Sequence, residues 1–326
     1  MRRIVCTELG DPGLLRLVED PTPRPGTGQV LVGTEACGVS FVDGLVVRGG
    51  YQVRPPLPFT PGNCFAGVVM EVGEGADPGL LGSRVAGVTE GLGGAYSSHV
   101  VARADGVAPV PEGLAPELVA ANIESYLTMA FATEHRVTIV PGETVVVLGA
   151  GGGIGLAAVD IARALEAQVV AVASSAEKQE AALRAGAWTA IGYDDLKDRI
   201  REVTGGAGAD VVVDPVGGEA AESALRALAT DGRFCVLGFA SGEIPRLPAN
   251  IVLLRNRAVV GVDWGDWSRE VGGPQGNAAL LTTVLERFAT GELRPPAPTP
   301  AALADAGRVL GLLGTRQAVG KHVLVP

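Results

Sequence analysis

From Thr144 onward, runs that are apolar on both faces alternate with helical stretches, and this constrains the fold more than any other feature of the chain. "TVVVLGA", "QVVAVAS", "TAIGY", "DVVVDPV", "RFCVLGF" and "AVVGVDW" read as strands. Helical stretches are expected from residue 154 to about 166, over 177–185, near 194–203 and over 219–228. Strands apolar on both faces belong in a parallel sheet covered by helices on each side.

The first strand meets the first helix in "VVVLGAGGGIGLAAV" (145–159). A strict G-x-G-x-x-G frame fails here, because the slots hold Ala150, Gly152 and Gly155. The relaxed form keeps the physics. Small residues permit a tight turn and the close approach of a pyrophosphate, and the helix N-terminus offers it free N–H groups. A glycine-rich turn of purely structural use is the alternative, and the strand–turn–helix context weighs against it. Dinucleotide folds that bind NAD place an acid about 20 residues on, for the ribose 2′-hydroxyl. Here that slot holds Ser174 and Ser175, with Lys178 following. Two hydroxyls and an ammonium suit a 2′-phosphate, so NADP(H) is the expected cofactor. A solvated Lys178 beside Glu177 is the plainer alternative.

Residues 1–110 read differently. "RRIVCTE", "LLRLVED", "QVLVGTEA", "FAGVVMEVG" and "SSHVVAR" are short strands separated by "PTPRPGTG" and "GEGADPG", the pattern of an antiparallel β region, expected as a small barrel. Residues 114–133 have helical content, and the tail from about residue 266 reads as two helices and a last strand, "KHVLVP". At 326 residues the chain has room for two domains of roughly 100–200 residues each.

A net charge of −10 with no Lys/Arg run excludes a duplex-binding surface. The N-terminus lacks the apolar core of a signal peptide, and the uncharged run 144–159 falls short of the ~20 residues of a spanning helix. A soluble, cytoplasmic protein is expected. Four cysteines, at 6, 37, 64 and 235, show neither metal spacing nor a disulfide framework. His99, His135 and His322 are singletons. Cys64 in "PGNCFAG" leaves three roles open: metal ligand, nucleophile or small buried side chain. Nucleophilic use would need a base and an oxyanion site, and no histidine lies nearby in sequence.

"EACGVSFVDGLVVRGGYQVRPPLPFTPG", "GGAYSSHVVA", "LGAGGGIGLAAVDIARAL", "ASSAEK", "VVGVDWGDW" and "GTRQAVGKHVLV" resemble, in order and along nearly the whole chain, the medium-chain dehydrogenase/reductase superfamily. The resemblance is closest to its zinc-independent quinone oxidoreductase (zeta-crystallin-like) branch. It implies an α/β protein: a GroES-like β-barrel catalytic domain from residues 1–121 and 266–326, and a doubly wound Rossmann domain from residues 122–265. A homodimer is also implied.

Carried over by the resemblance, the cofactor lies on Gly151, Gly152, Gly153 and Ile154. Its 2′-phosphate meets Ser174, Lys178 and Tyr193. The nicotinamide lies near Thr128, Phe239, Asp263 and Trp264, and Lys321 sits where the family's tail closes on the cofactor. Zinc-dependent relatives use a cysteine and a histidine where this chain has Ser40 and Asn63. A neighbouring cysteine does not replace them, because tetrahedral zinc needs several ligands aimed at one point. No metal is expected, and Cys64 reads best as a small side chain opening a buried strand.

Without a Lewis acid, unactivated alcohols are poor substrates, whereas quinones and conjugated enones accept hydride once positioned. The developing oxyanion still needs a hydrogen-bond or proton donor. Ser40 and Tyr51 are the candidate hydroxyls, with packing the alternative role for Tyr51, and Asp43 is expected to fix the loop. An NADPH-dependent quinone reductase is the leading reading. An enoyl or alkenal reductase, and a cofactor-binding protein with little catalysis, are the alternatives. Trp267 is read equally as substrate contact or interface packing.

Overall fold

The apolar runs after Thr144 form one six-stranded sheet in this computed structural model, which describes residues 1–315 and 318–326. Across the sheet the strands run Thr189–Ile191, Gln168–Val172, Thr144–Leu148, Ala209–Asp214, Leu228–Val236 and Ala258–Gly261, all parallel. The chain winds outward from Thr144–Leu148, then crosses back to Ala209–Asp214 and winds the other way. Between those two strands lies a topological switch point, the usual place for a crevice beyond the strands' C-terminal ends.

Helices Gly153–Ala164, Ala176–Arg184, Leu196–Val203 and Glu219–Ala227 fall within about two residues of their expected positions. Val146, Val170, Val212 and Phe234 pack with Ile200 and Leu225 in the core. Charged side chains are buried in this unit. Asp160 is fully buried, ion-pairs with Arg163 at 2.7 Å and accepts from the Arg294 backbone N–H at 2.6 Å. That bond ties residues 292–295 to the second compact unit, which comprises Thr128–Gly265 and Glu292–Pro295.

The first unit comprises Met1–Leu127, Asp266–Gly291 and Pro296–Pro326. Its organising element is the long strand Gln29–Val39, which pairs antiparallel with Cys64–Val72, His99–Arg103 and His322–Val325. The C-terminal segment is thereby woven into a sheet begun by the N-terminal one. Helix Pro116–Phe131, whose fixed-φ proline suits a first turn, lies against Gln29–Val39. A Cβ on Gly38 would stand 2.1 Å from the Ala120 carbonyl oxygen. Only glycine permits this approach. Among the described residues, no helix is long and apolar enough to cross a membrane.

Gly38→Ala sets a side chain against rigid backbone and is expected to lower stability by about 1–3 kcal/mol. Gly311, inside helix Ala306–Gly314, has nothing among the described residues within 4 Å of its would-be Cβ. Gly311→Ala is expected to stabilise by about 0.5–1 kcal/mol through helix propensity. Thermal melts of the two variants check the contrast.

Candidate active site

In the second unit the crevice end is built from glycine and small residues. Gly149 leaves its strand with φ of +61°, and its N–H donates to the Tyr193 hydroxyl at 2.9 Å. A Cβ on Gly155 would lie 2.2 Å from the Gly149 carbonyl oxygen, and one on Gly151 would lie 2.5 Å from Lys178 Cβ. The turn is therefore as tight as the relaxed motif requires. Gly152 caps helix Gly153–Ala164, whose first turn holds no acid and no side-chain cap. Its leading N–H groups are open to an anion.

The residues expected around a cofactor distribute as follows. Gly151, Gly152, Gly153 and Ile154 form the turn and first helical residues. Ser174 and Ser175 are exposed at the end of the neighbouring strand, and Ser175 Oγ accepts from the Lys178 N–H at 3.3 Å. Lys178 is half-buried with its stem over Gly151. Tyr193 stands behind Gly149. Phe239 is exposed beyond Leu228–Val236, with its ring edge 3.0 Å from the would-be Cβ of Gly217. Asp263 is exposed, Trp264 is buried, and Thr128 lies on helix Pro116–Phe131. The sequence reading passed over Asp214. It ends the strand beside Thr144–Leu148 and accepts from the Val216 and Gly217 N–H groups through Oδ1. Its other carboxyl oxygen is buried without a partner among the described residues, and burial raises its pKa. "DPVGG" directly after an apolar strand was the available signal.

The first unit holds a polar pocket. Ser40 caps the short helix Phe41–Val47, and with Asp43 it forms a reciprocal box. Ser40 Oγ accepts from the Asp43 N–H at 3.2 Å, and Asp43 Oδ2 accepts from the Ser40 N–H at 2.9 Å. Tyr96, wholly buried, donates its hydroxyl to the same oxygen at 2.8 Å. Asp43 thus fixes the loop, as expected. Asn63, Cys64 and Glu124 line the pocket with them, and Glu124 is hydrogen-bonded to the Ser40 side chain. Asn63 Oδ1 is buried without a partner among the described residues.

Lys321 occupies this neighbourhood. It is buried, its ammonium donates to Ser125 Oγ at 3.1 Å, and Glu124 and Cys64 lie close enough to act on its charge. Glu124 too was missed in the sequence, although a lone acid inside "AANIESYLTMAFA" is a legible anomaly. Tyr51 does not line the pocket. Its ring packs on the cluster of Ile4, Val39, Val46 and Leu310.

Burial and the nearby Glu124 charge push the Asp43 carboxyl up to about 7. Burial likewise raises Glu124 and drives the Cys64 thiol far up, which leaves it neutral and unreactive. Cys64 is 4% exposed at the start of strand Cys64–Val72. Because the folded state keeps the Asp43 proton that the unfolded chain releases near pH ~4, this contribution to stability is complete below pH ~4. It declines as pH rises to about 7. Asp43→Asn is expected to flatten that slope, read from denaturant midpoints at pH 4–8.

Comparison with known proteins agrees with this architecture. A family model described as "Alcohol dehydrogenase GroES-like domain" matches residues 26–112, and one described as "Zinc-binding dehydrogenase" matches residues 153–273. "Quinone oxidoreductase-like protein 2" of Rattus norvegicus is 39% identical over 82% of this chain and 77% of its own. The Nematostella vectensis homologue of that protein is 36% identical over 99% of this chain and 88% of its own. Among solved structures, the Escherichia coli quinone oxidoreductase complexed with NADPH superposes with a TM-score of 0.91 at 30% identity, covering 100% of both chains. With a glycine-turn parallel sheet and a GroES-like sheet threaded by both termini, the chain belongs to the quinone oxidoreductase branch of the medium-chain dehydrogenase/reductase superfamily.

Proposed function

We propose that this protein is an NADPH-dependent oxidoreductase that transfers hydride to a quinone without zinc. The carrying observation is the cradle of Gly151–Ile154 N–H groups flanked by Ser174 and Lys178, with no acid at the 2′ position. NADPH supplies the hydride when bound. The chain's own residues then have separable tasks. The leading N–H groups of helix Gly153–Ala164 hold the pyrophosphate. Ser174, Ser175, Lys178 and the Tyr193 hydroxyl hold the 2′-phosphate, Lys178 as a point charge. Thr128, Phe239, Asp263 and Trp264 bound the nicotinamide end. Ser40 or Tyr51 donates a hydrogen bond to the developing oxyanion.

The donor set argues against zinc. Among the described residues, no group of three or more His, Cys, Asp or Glu side chains is gathered to hold a metal ion. Ser40 and Asn63 stand at the family's ligand places, and a buried lysine ammonium near Cys64 opposes a cation. A homodimer in the cytoplasm completes the proposal. Among the described residues, strand Ala258–Gly261 pairs only with Leu228–Val236 and forms a sheet edge, and Val259, Leu253 and Leu254 nearby are exposed.

Lys178→Ala is expected to weaken NADPH binding by about tenfold, the worth of one charge-assisted bond, and to leave NADH little changed. Titration of both cofactors by fluorescence checks it, and equal losses exclude the 2′-phosphate role. Steady-state assays of NADPH oxidation against a panel of quinones and enones, with product analysis, test the substrate class. Hydroquinone formation is expected, and saturation of a C=C bond assigns the enoyl reductase activity instead. Ser40→Ala and Tyr51→Phe are expected to lower kcat with NADPH affinity retained. Unchanged kcat in both removes them as donors.

A further inference from the structure

Two carboxyls, Asp43 and Glu124, line the pocket behind Ser40, and the buried Lys321 ammonium lies close enough for their charges to act on it. With all three ionised, the set carries one surplus negative charge in a buried place, which desolvation and like-charge repulsion both oppose. One retained proton makes it neutral. The other titratable groups facing these carboxyls do not alter that balance. Burial pushes Cys37 up to about 12 and raises Cys64 and Tyr96 well above their ordinary values, so all three stay uncharged.

The hydrogen bonds define where the retained proton can travel. Ser40 Oγ already accepts from the Asp43 N–H and is bonded to Glu124. A hydroxyl has one proton to donate. While Glu124 is ionised, the serine proton is committed to it. Once Glu124 is protonated the roles reverse. The carboxyl O–H donates to Ser40 Oγ, and the serine proton is released for another acceptor. Glu124 is only half-buried, whereas Ser40, Asp43 and Lys321 are buried. It is therefore the member through which a spent proton is replaced from water. Lys321 is anchored on Ser125, the residue next to Glu124, so its charge is held beside the carboxyl.

We propose that Glu124 is the proton-supplying residue of this enzyme, acting through the Ser40 hydroxyl and set by the Lys321 charge. This rests on the hydride-transfer reading above. Hydride delivers two electrons to the quinone and leaves a hydroquinone monoanion. Its oxygen takes the Ser40 proton as the serine O–H bond breaks, the serine oxygen takes the Glu124 proton, and Glu124 is reprotonated by water. One hydride and one proton are consumed per quinone, which matches the single proton the pocket stores.

The test pairs kinetics on a small naphthoquinone with infrared spectroscopy of the substrate-free protein. In Glu124→Gln we expect kcat to fall roughly 100-fold, in line with loss of a general acid. Its fall with rising pH and its solvent isotope effect should vanish, with NADPH affinity unchanged. Glu124→Asp should restore part of the rate. Lys321→Met, which removes the charge favouring the carboxylate, should move the kcat profile to higher pH. A carboxylic-acid C=O band from Glu124 should be present in the wild type and absent from Glu124→Gln, beside an Asp43 band that titrates near pH 7 in the wild type and persists in the variant because burial is its main cause. A Glu124→Gln enzyme with wild-type kcat, pH profile and isotope effect overturns the proposal, as does a wild-type protein lacking the band. Should Glu124→Gln fail to fold, an unshifted profile in Lys321→Met overturns it equally. A wild type that shows the band but reduces neither quinones nor enones refutes the hydride-transfer reading, and with it this role, while leaving the stored proton established.

Discussion

The approach of helix Pro116–Phe131 to strand Gln29–Val39 at Gly38 is the contact on which the polar pocket depends. With no Cβ at Gly38, the Ala120 carbonyl sits directly over the strand. One turn further along the same helix, Glu124 and Ser125 reach the level of Ser40 and Lys321. A helix held farther out by a methyl group would separate Glu124 from Ser40. The packing constraint and the chemistry therefore rest on one glycine.

The two units use missing side chains for different ends. Around Gly149–Gly155 the absent Cβ atoms clear a helix N-terminus for an anion, and the Tyr193 hydroxyl pins the strand end from behind. At Gly38 the absent Cβ instead lets polar side chains from separate segments gather in a buried space, where the Asp43 carboxyl keeps its proton near neutral pH. The parallel sheet thus holds charge at an exposed crevice, whereas the antiparallel sheet confines it. That difference underlies the proposed division of labour, in which one unit binds the cofactor phosphates and the other supplies a proton.

The zinc-dependent relatives supply an instructive contrast. Ser40 and Asn63 stand where those relatives have a cysteine and a histidine, and the Lys321 ammonium lies buried nearby, held on Ser125. Positive charge is retained but cannot polarise a carbonyl as a Lewis acid does. Cys64, fully enclosed and with its thiol held neutral, adds volume and no chemistry.

Periodicity and turn chemistry alone determined the parallel sheet, its helices within about two residues, the small-residue turn and the absence of an acid at Ser174–Ser175. These are local properties, carried by side-chain alternation and backbone sterics. Asp43's part in fixing its loop was legible in the same way, because it lies three residues from the Ser40 cap. Tertiary structure decided what no window of sequence contains. Glu124 was passed over inside an apolar stretch of its helix, Lys321 was assigned to the cofactor, and Tyr51 was ranked beside Ser40 as a hydroxyl. Their contacts join residues far apart in the chain, 196 positions in the Lys321–Ser125 bond. Whether a carboxyl is a solvated charge or a stored proton depends on burial and neighbouring charge, which only the folded chain supplies.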